Sequence, residues 1–230
     1  MSNKIPYHII LIFSLISLAA FSCKKQETMP APSSGRDYFP TELGSWISYK
    51  VDSITWNDFY TPVKVDTFSF FIKMKIDSQF VDDQGRTSFI WRKYYKTDST
   101  SWELIKNYTI TKTPVRVESY EENVRFIKMA FPVNATTTWD MNAFNSAKAT
   151  SSYYDDYDIP ETVNSHKFDS CAVVINADTE TLISKDFYKE IYAKNTGLVY
   201  RSVTSVKKEM DGTWINGFQY SYIFMASGKD

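Results

Sequence analysis

The sequence predicts an all-β fold, a single antiparallel meander bent into a strongly curved sheet or barrel, and three observations carry the prediction. The apolar pattern beyond residue 36 has a period of two. Phe70, Ile72, Met74 and Ile76 alternate with Phe71, Lys73, Lys75 and Asp77, so one apolar row meets a core while the charged residues meet water. The candidate strands are rich in Val, Ile, Thr, Tyr, Phe and Trp, which fit a pleated, half-buried surface. Turn chemistry separates them: Asp82-Asp83-Gln84-Gly85, Lys194-Asn195-Thr196-Gly197 and Met210-Asp211-Gly212 each supply a residue able to take positive φ. So many short strands must dispose of their edges, by closing, curling or stacking. The expected shape is lipocalin-like or LolA-like, with a two-sheet β-sandwich as the alternative that periodicity does not separate from it.

Taken in order, the chain opens with an export signal over residues 1–22. Lys4 precedes the apolar run Ile9-Ile10-Leu11-Ile12-Phe13, which continues through Leu15, Ile16 and Leu18 and is too short to span a bilayer. Ala20-Phe21-Ser22 suits ordinary signal peptidase, and Ala20-Phe21-Ser22-Cys23 is similar to a bacterial lipobox. Both sever the same bond, and they differ in whether Cys23 is lipidated. Residues 23–36 are charged and rich in Pro, Ser and Gly, a solvated tether. Cysteine, tether and domain is the order of a lipoprotein, so lipidation of Cys23 and a membrane anchor without a transmembrane helix are expected. Residues 37–230 then form one all-β domain.

Within it, strands are expected at Gly44 to Trp56, around Phe70 to Ile76, and at Ser88 to Lys96, Trp102 to Lys112, Val115 to Tyr120 and Val124 to Phe131. Others are expected at Phe168 to Ala177, Phe187 to Lys194, Leu198 to Val206 and Trp214 to Met225. Asp140 to Lys148 reads as a short helix, and Thr150 to Asn164 as an irregular loop or poor edge strand.

Composition limits function. Aromatics make up 17% of 230 residues and only 7 are glycine, which excludes a disordered or collagen-like chain. The formal charge is −1, and Lys4 is the only charge before Cys23, so the mature chain carries −2 and offers nucleic acid no attraction. His8 leaves with the signal. His166 is then the only imidazole, which rules out any site needing two histidines. Cys171 alternates with Val173 and Ile175, the pattern of a buried, inert thiol rather than of a nucleophile paired with His166. There is no G-x-S-x-G elbow and no glycine-rich phosphate loop. No cofactor is expected. Asp155, Asp156 and Asp158 are the candidate calcium ligands, though without EF-hand spacing. Trp56 and Tyr60 near one turn, and Tyr153, Tyr154 and Tyr157 in another stretch, are the candidate ligand-binding aromatics, set against the plainer reading that such rings cap the ends of a barrel.

Asp37-Tyr38-Phe39-Pro40 followed by Gly44-Ser45-Trp46-Ile47-Ser48-Tyr49-Lys50-Val51 resembles the opening of uncharacterised outer-membrane lipoproteins of the Bacteroidota type. Phe131-Pro132-Val133 with Trp139-Asp140, and Glu190-Ile191-Tyr192-Ala193-Lys194-Asn195-Thr196-Gly197-Leu198-Val199-Tyr200, resemble later landmarks of that group. The resemblance implies an outer-membrane lipoprotein on the periplasmic or surface side, and its motifs are structural. The expected function is a non-enzymatic binding or structural module whose partner is a glycan, a lipid-like ligand or an envelope protein. The alternative is a glycan-processing hydrolase using paired carboxylates.

Overall fold

The computed structural model describes residues 34–230. The export signal, Cys23 and most of the tether lie outside the described residues. A 3-10 turn at Arg36–Tyr38 leads into twelve strands: β1 (Ser45–Asn57), β2 (Lys64–Val81), β3 (Thr87–Lys96), β4 (Glu103–Lys112), β5 (Arg116–Glu121), β6 (Val124–Ala130), β7 (Thr138–Asp140), β8 (Ser151–Val163), β9 (His166–Glu180), β10 (Ser184–Ala193), β11 (Gly197–Lys208) and β12 (Trp214–Lys229).

All twelve belong to one sheet, in the order β6-β5-β4-β3-β2-β1-β12-β11-β10-β9-β8-β7. First and last strands pair from Ser45 opposite Lys229 to Trp56 opposite Gly217, so the two halves of the meander meet again at β6 and β7. There the Ile127 amide donates to the Met141 carbonyl (2.9 Å), Trp139 Nε1 to the Ile127 carbonyl (3.1 Å) and the Tyr154 hydroxyl to the Ala130 carbonyl (2.6 Å). The result is a nearly closed barrel, and a single continuous sheet replaces the sandwich alternative.

Two expectations are corrected. Residues 140–148 are the last residue of β7 and a run of turns instead of a helix. The Asp140 carboxylate accepts the Asn142 and Thr150 amides (2.9 Å each), and Asn142 donates to the Lys148 carbonyl (2.7 Å). Side chains that satisfy the backbone locally compete with the helical ladder. Thr150 to Asn164, expected as an irregular loop or poor edge strand, contains the whole of β8, paired along β9, which removes the loop reading. Three register shifts against β9 break the alternation that would have revealed it.

The main core lies inside the barrel, where Tyr49, Val51, Ile72, Met74, Ile110, Val117, Met129, Val174 and Tyr192 converge. The opposite face of β9–β11 carries a second cluster, Cys171, Val173, Ile191, Ala193 and Val199, packed with Val163, Phe168 and Phe224. One end of the barrel is plugged by the chain before β1. Tyr38 and Phe39 are buried there, Lys112 Nζ donates to the Phe39 carbonyl (2.7 Å), and the Asn195 amide of the β10–β11 turn donates to the Asp37 carbonyl (2.8 Å). The other end, the mouth, carries the β1–β2, β3–β4, β9–β10 and β11–β12 turns. An eight-stranded barrel is just filled by its side chains, so twelve strands leave a lumen to account for. Among the described residues no helix is long and apolar enough to cross a membrane.

Candidate binding site in the barrel lumen

The lumen holds charge as well as apolar surface. Glu190 of β10 shares its face with Tyr188 and Tyr192, and β11 brings Arg201 directly opposite it. Arg201 donates to Glu190 Oε1 through Nε (2.8 Å) and Nη2 (2.6 Å), and Tyr188 donates to the same oxygen (2.9 Å). Tyr192 (3.0 Å) and Asn176 (3.2 Å) donate to Oε2, and Asn176 accepts from Ser152 (2.8 Å). Glu190 is completely buried, and a buried carboxylate is tolerated only when paired and hydrogen-bonded. Burial pushes its pKa up, but the Arg201 guanidinium and the other donors more than offset this and hold it below the usual range. The Arg201 guanidinium also lies over the rings of Tyr222 (5.1 Å) and Tyr188 (5.9 Å). One polar girdle therefore runs across β8, β9, β10, β11 and β12.

A second girdle crosses β5 and β6. Glu121 accepts from Lys128 (2.9 Å) and from Ser119 (2.8 Å), and Lys128 is only 5% exposed. Burial raises the Glu121 pKa, while Lys128 and then Arg201 lower it further, to about 2.

Two chambers lie along the lumen. The one at the plugged end, about 330 Å³, is lined by the apolar Phe39, Ile47, Met74, Ile76, Trp91 and Leu198 and also by polar residues, among them Glu42, Asn195 and Lys229. The other, about 170 Å³, is lined by Lys93, Tyr108, Glu121, Arg201, Tyr220 and Tyr222. They share Tyr49, Met74, Trp91 and Leu198, and Tyr49 spans between them, its hydroxyl donating to the Leu198 carbonyl (2.8 Å). Apolar and aromatic walls joined to a few convergent polar groups are the usual make-up of a small-molecule site.

The aromatics singled out from the sequence do not converge on it. Trp56 packs edge-on against Trp214 (4.8 Å) near the mouth, and Tyr60, 54% exposed, lies under the Lys64 ammonium (5.7 Å). Tyr153 and Tyr157 lie on β8, Tyr157 exposed, while Tyr154 is core, against Trp139 (5.1 Å). Among the described residues no group of three or more His, Cys, Asp or Glu side chains is placed to hold a metal ion, so Asp155, Asp156 and Asp158 are not brought together as ligands. Asp158 instead accepts from Lys194, Tyr38 and Ser170, fastening the β8–β9 hairpin to the plug. Cys171 is fully buried, which pushes its thiol up to about 11, and the His166 ring is engaged by the Asn164 carbonyl (2.9 Å) and the edge of Phe224 (5.0 Å).

No protein-family model and no curated protein matches this chain. Two crystal structures are similar to it. One is a protein from Bacteroides fragilis described as exported, with a YmcC-like fold. It is 13% identical over 83% of this chain and 98% of its own, with a TM-score of 0.44. The other, from Parabacteroides distasonis, is described as a lipoprotein. It is 9% identical over the same shares, with a TM-score of 0.40.

Glu190, Arg201, Glu121, Lys128 and Lys93 are the residues that sequence reading missed. A signal for one of them was present: Glu190 alternates with Tyr188 and Tyr192, so a charge stands in the register of an inward aromatic row. Glu121 adjoins the β5–β6 turn, Lys128 lies within β6, and neither carries such a mark.

Proposed function

We propose that this is a lipid-anchored protein of the bacterial outer membrane that binds a small ligand inside its barrel and performs no chemistry on it. The two-chambered lumen carries the reading: space remains inside the barrel, and its polar lining is held in place before any ligand arrives. Preorganised groups lower the ordering cost of binding. The anchor rests on the sequence around Cys23.

The hydrolase alternative gains nothing from the lumen. A glycosidase needs one carboxyl whose pKa is raised so that it can donate a proton. Glu190 and Glu121 are both held below the ordinary carboxylate range.

The test is mass spectrometry of small molecules released from the protein purified from its own host, beside a Met74→Trp variant that fills the wall shared by the chambers. A molecule carried by the wild type and lost from the folded variant supports lumen binding. Retention of no lipid, glycan or hydrophobic dye, even on adding them back, removes the reading and leaves a structural envelope component.

A further inference from the structure

We infer that Lys93 is an anion-binding subsite and that the lumen's ligand is an anionic amphiphile, with a carboxylate, phosphate or sulfate head and an apolar tail. The inference rests on the lumen-binding reading and adds the ligand's charge and polarity.

Charge accounting inside the barrel points to it. Glu190 is paired with Arg201 and Glu121 with Lys128, which leaves Lys93 as the cation of the polar chamber without an acidic partner. Among the described residues no carboxylate lies within 4 Å of its ammonium. Its interaction is with the ring of Tyr108, 6.0 Å away, and the residue is half-buried. Lys106 stands opposite it on β4, already engaged by Glu122 at 2.8 Å. Like charges facing each other across a ladder are unfavourable, and an anion at Lys93 relieves that.

The chamber also offers unused donors. Among the described residues the hydroxyls of Tyr108, Tyr220 and Tyr222 make no hydrogen bond within the protein. Burial raises the Tyr108 pKa, and that of Tyr220 to about 12, so those two phenols stay protonated and able to donate to an oxyanion. A lysine with hydroxyl donors around it suits a compact anionic head. Beyond Tyr49 an apolar track runs from Met74, Trp91 and Leu198 to Phe39 and Ile76, beside the polar Glu42, Asn195 and Lys229, and the track suits a tail. Tyr49 crosses between head and tail, so a long ligand has to displace its hydrogen bond to Leu198.

The experiment is calorimetric titration of the full mature chain carrying Cys23→Ala, to remove its own acyl groups, with dodecanoate, dodecyl phosphate, dodecanol and dodecyltrimethylammonium, all below their micellar concentrations. Dodecanoate and dodecyl phosphate are expected to bind at least tenfold more tightly than dodecanol, and the ammonium more weakly still. Lys93→Met should bring the two anions to within about twofold of dodecanol while leaving dodecanol unchanged, and Lys93→Arg should restore most of the preference. Equal binding of dodecanol and dodecanoate by the wild type, or a preference for anions that survives in Lys93→Met, overturns the subsite and leaves lumen binding standing. Failure of all four to bind overturns the subsite together with the binding of any chain-like ligand in the lumen.

Discussion

Glu190 shows at the scale of one residue how this barrel tolerates charge in its interior. Five donors from four residues converge on its two oxygens, so removing its charge strands Arg201, which is 12% exposed. Glu190→Gln is expected to cost about 3–5 kcal/mol in urea unfolding, the usual penalty for breaking a buried pair from one side. Glu190→Gln with Arg201→Met should cost clearly less than Glu190→Gln alone, because no unpaired charge remains. Glu121 sets a pH dependence. Its folded pKa of about 2 lies below the ordinary carboxylate value, so its contribution is fully present above about pH 4.5 and is lost as pH falls toward 2. The size is on the order of 2–3 kcal/mol. Glu190, Glu118 and Glu180 are lowered too, so denaturant titrations at pH 7 and pH 3 should show wild-type stability falling by at least that much, and Glu121→Gln should reduce the fall while being less stable at pH 7.

At the scale of the element, β12 depends on a residue without a side chain. Gly217 has φ 115°, and a Cβ there would stand 2.1 Å from the Ser205 carbonyl oxygen of β11. Backbone on both sides of β12 is committed to ladders with β1 and β11, so the clash cannot be relieved by a small shift. Gly217→Ala should therefore cost about 2 kcal/mol or more. Gly212, in the β11–β12 turn at φ 90°, has open space around it, and Gly212→Ala should cost only about 1 kcal/mol, from the left-handed backbone alone. Thermal melts of the two variants, side by side, test the ordering. Strand β8 shows the converse. Asp155, Asp156 and Asp158 are poor strand formers, yet β9 recruits them by pairing, and each bulge turns consecutive side chains outward.

For the molecule as a whole, closure is uneven. The β1–β12 seam is a ladder of twelve register pairs, whereas β7 contributes three residues and meets β6 through the hydrogen bonds of Ile127 and Trp139. Opening at β6–β7 breaks few bonds, so local unfolding should begin there. Native-state hydrogen exchange should show the Ile127 amide exchanging at least tenfold faster than amides in the middle of β1. Equal protection would mean that the barrel opens only by global unfolding. A ligand seated between the girdles should slow exchange at Ile127, since Glu121, which lines the polar chamber, is paired with Lys128 beside that seam.

The sequence by itself determined what is local and periodic. Alternation at Phe70 to Ile76, aromatic and β-branched runs, and turns built on Gly85, Asn195 and Gly212 specify strands and their antiparallel neighbours, because a two-residue period and a positive φ are properties of a few adjacent residues. The burial of Cys171 was legible for the same reason. Tertiary structure alone decided which strands close the barrel, that Tyr154 is core instead of a platform, and that Glu190, Arg201, Glu121, Lys128 and Lys93 face one lumen. Those residues come from β3, β5, β6, β10 and β11 and meet only through the curvature of the whole sheet, a long-range property that no short window of sequence contains.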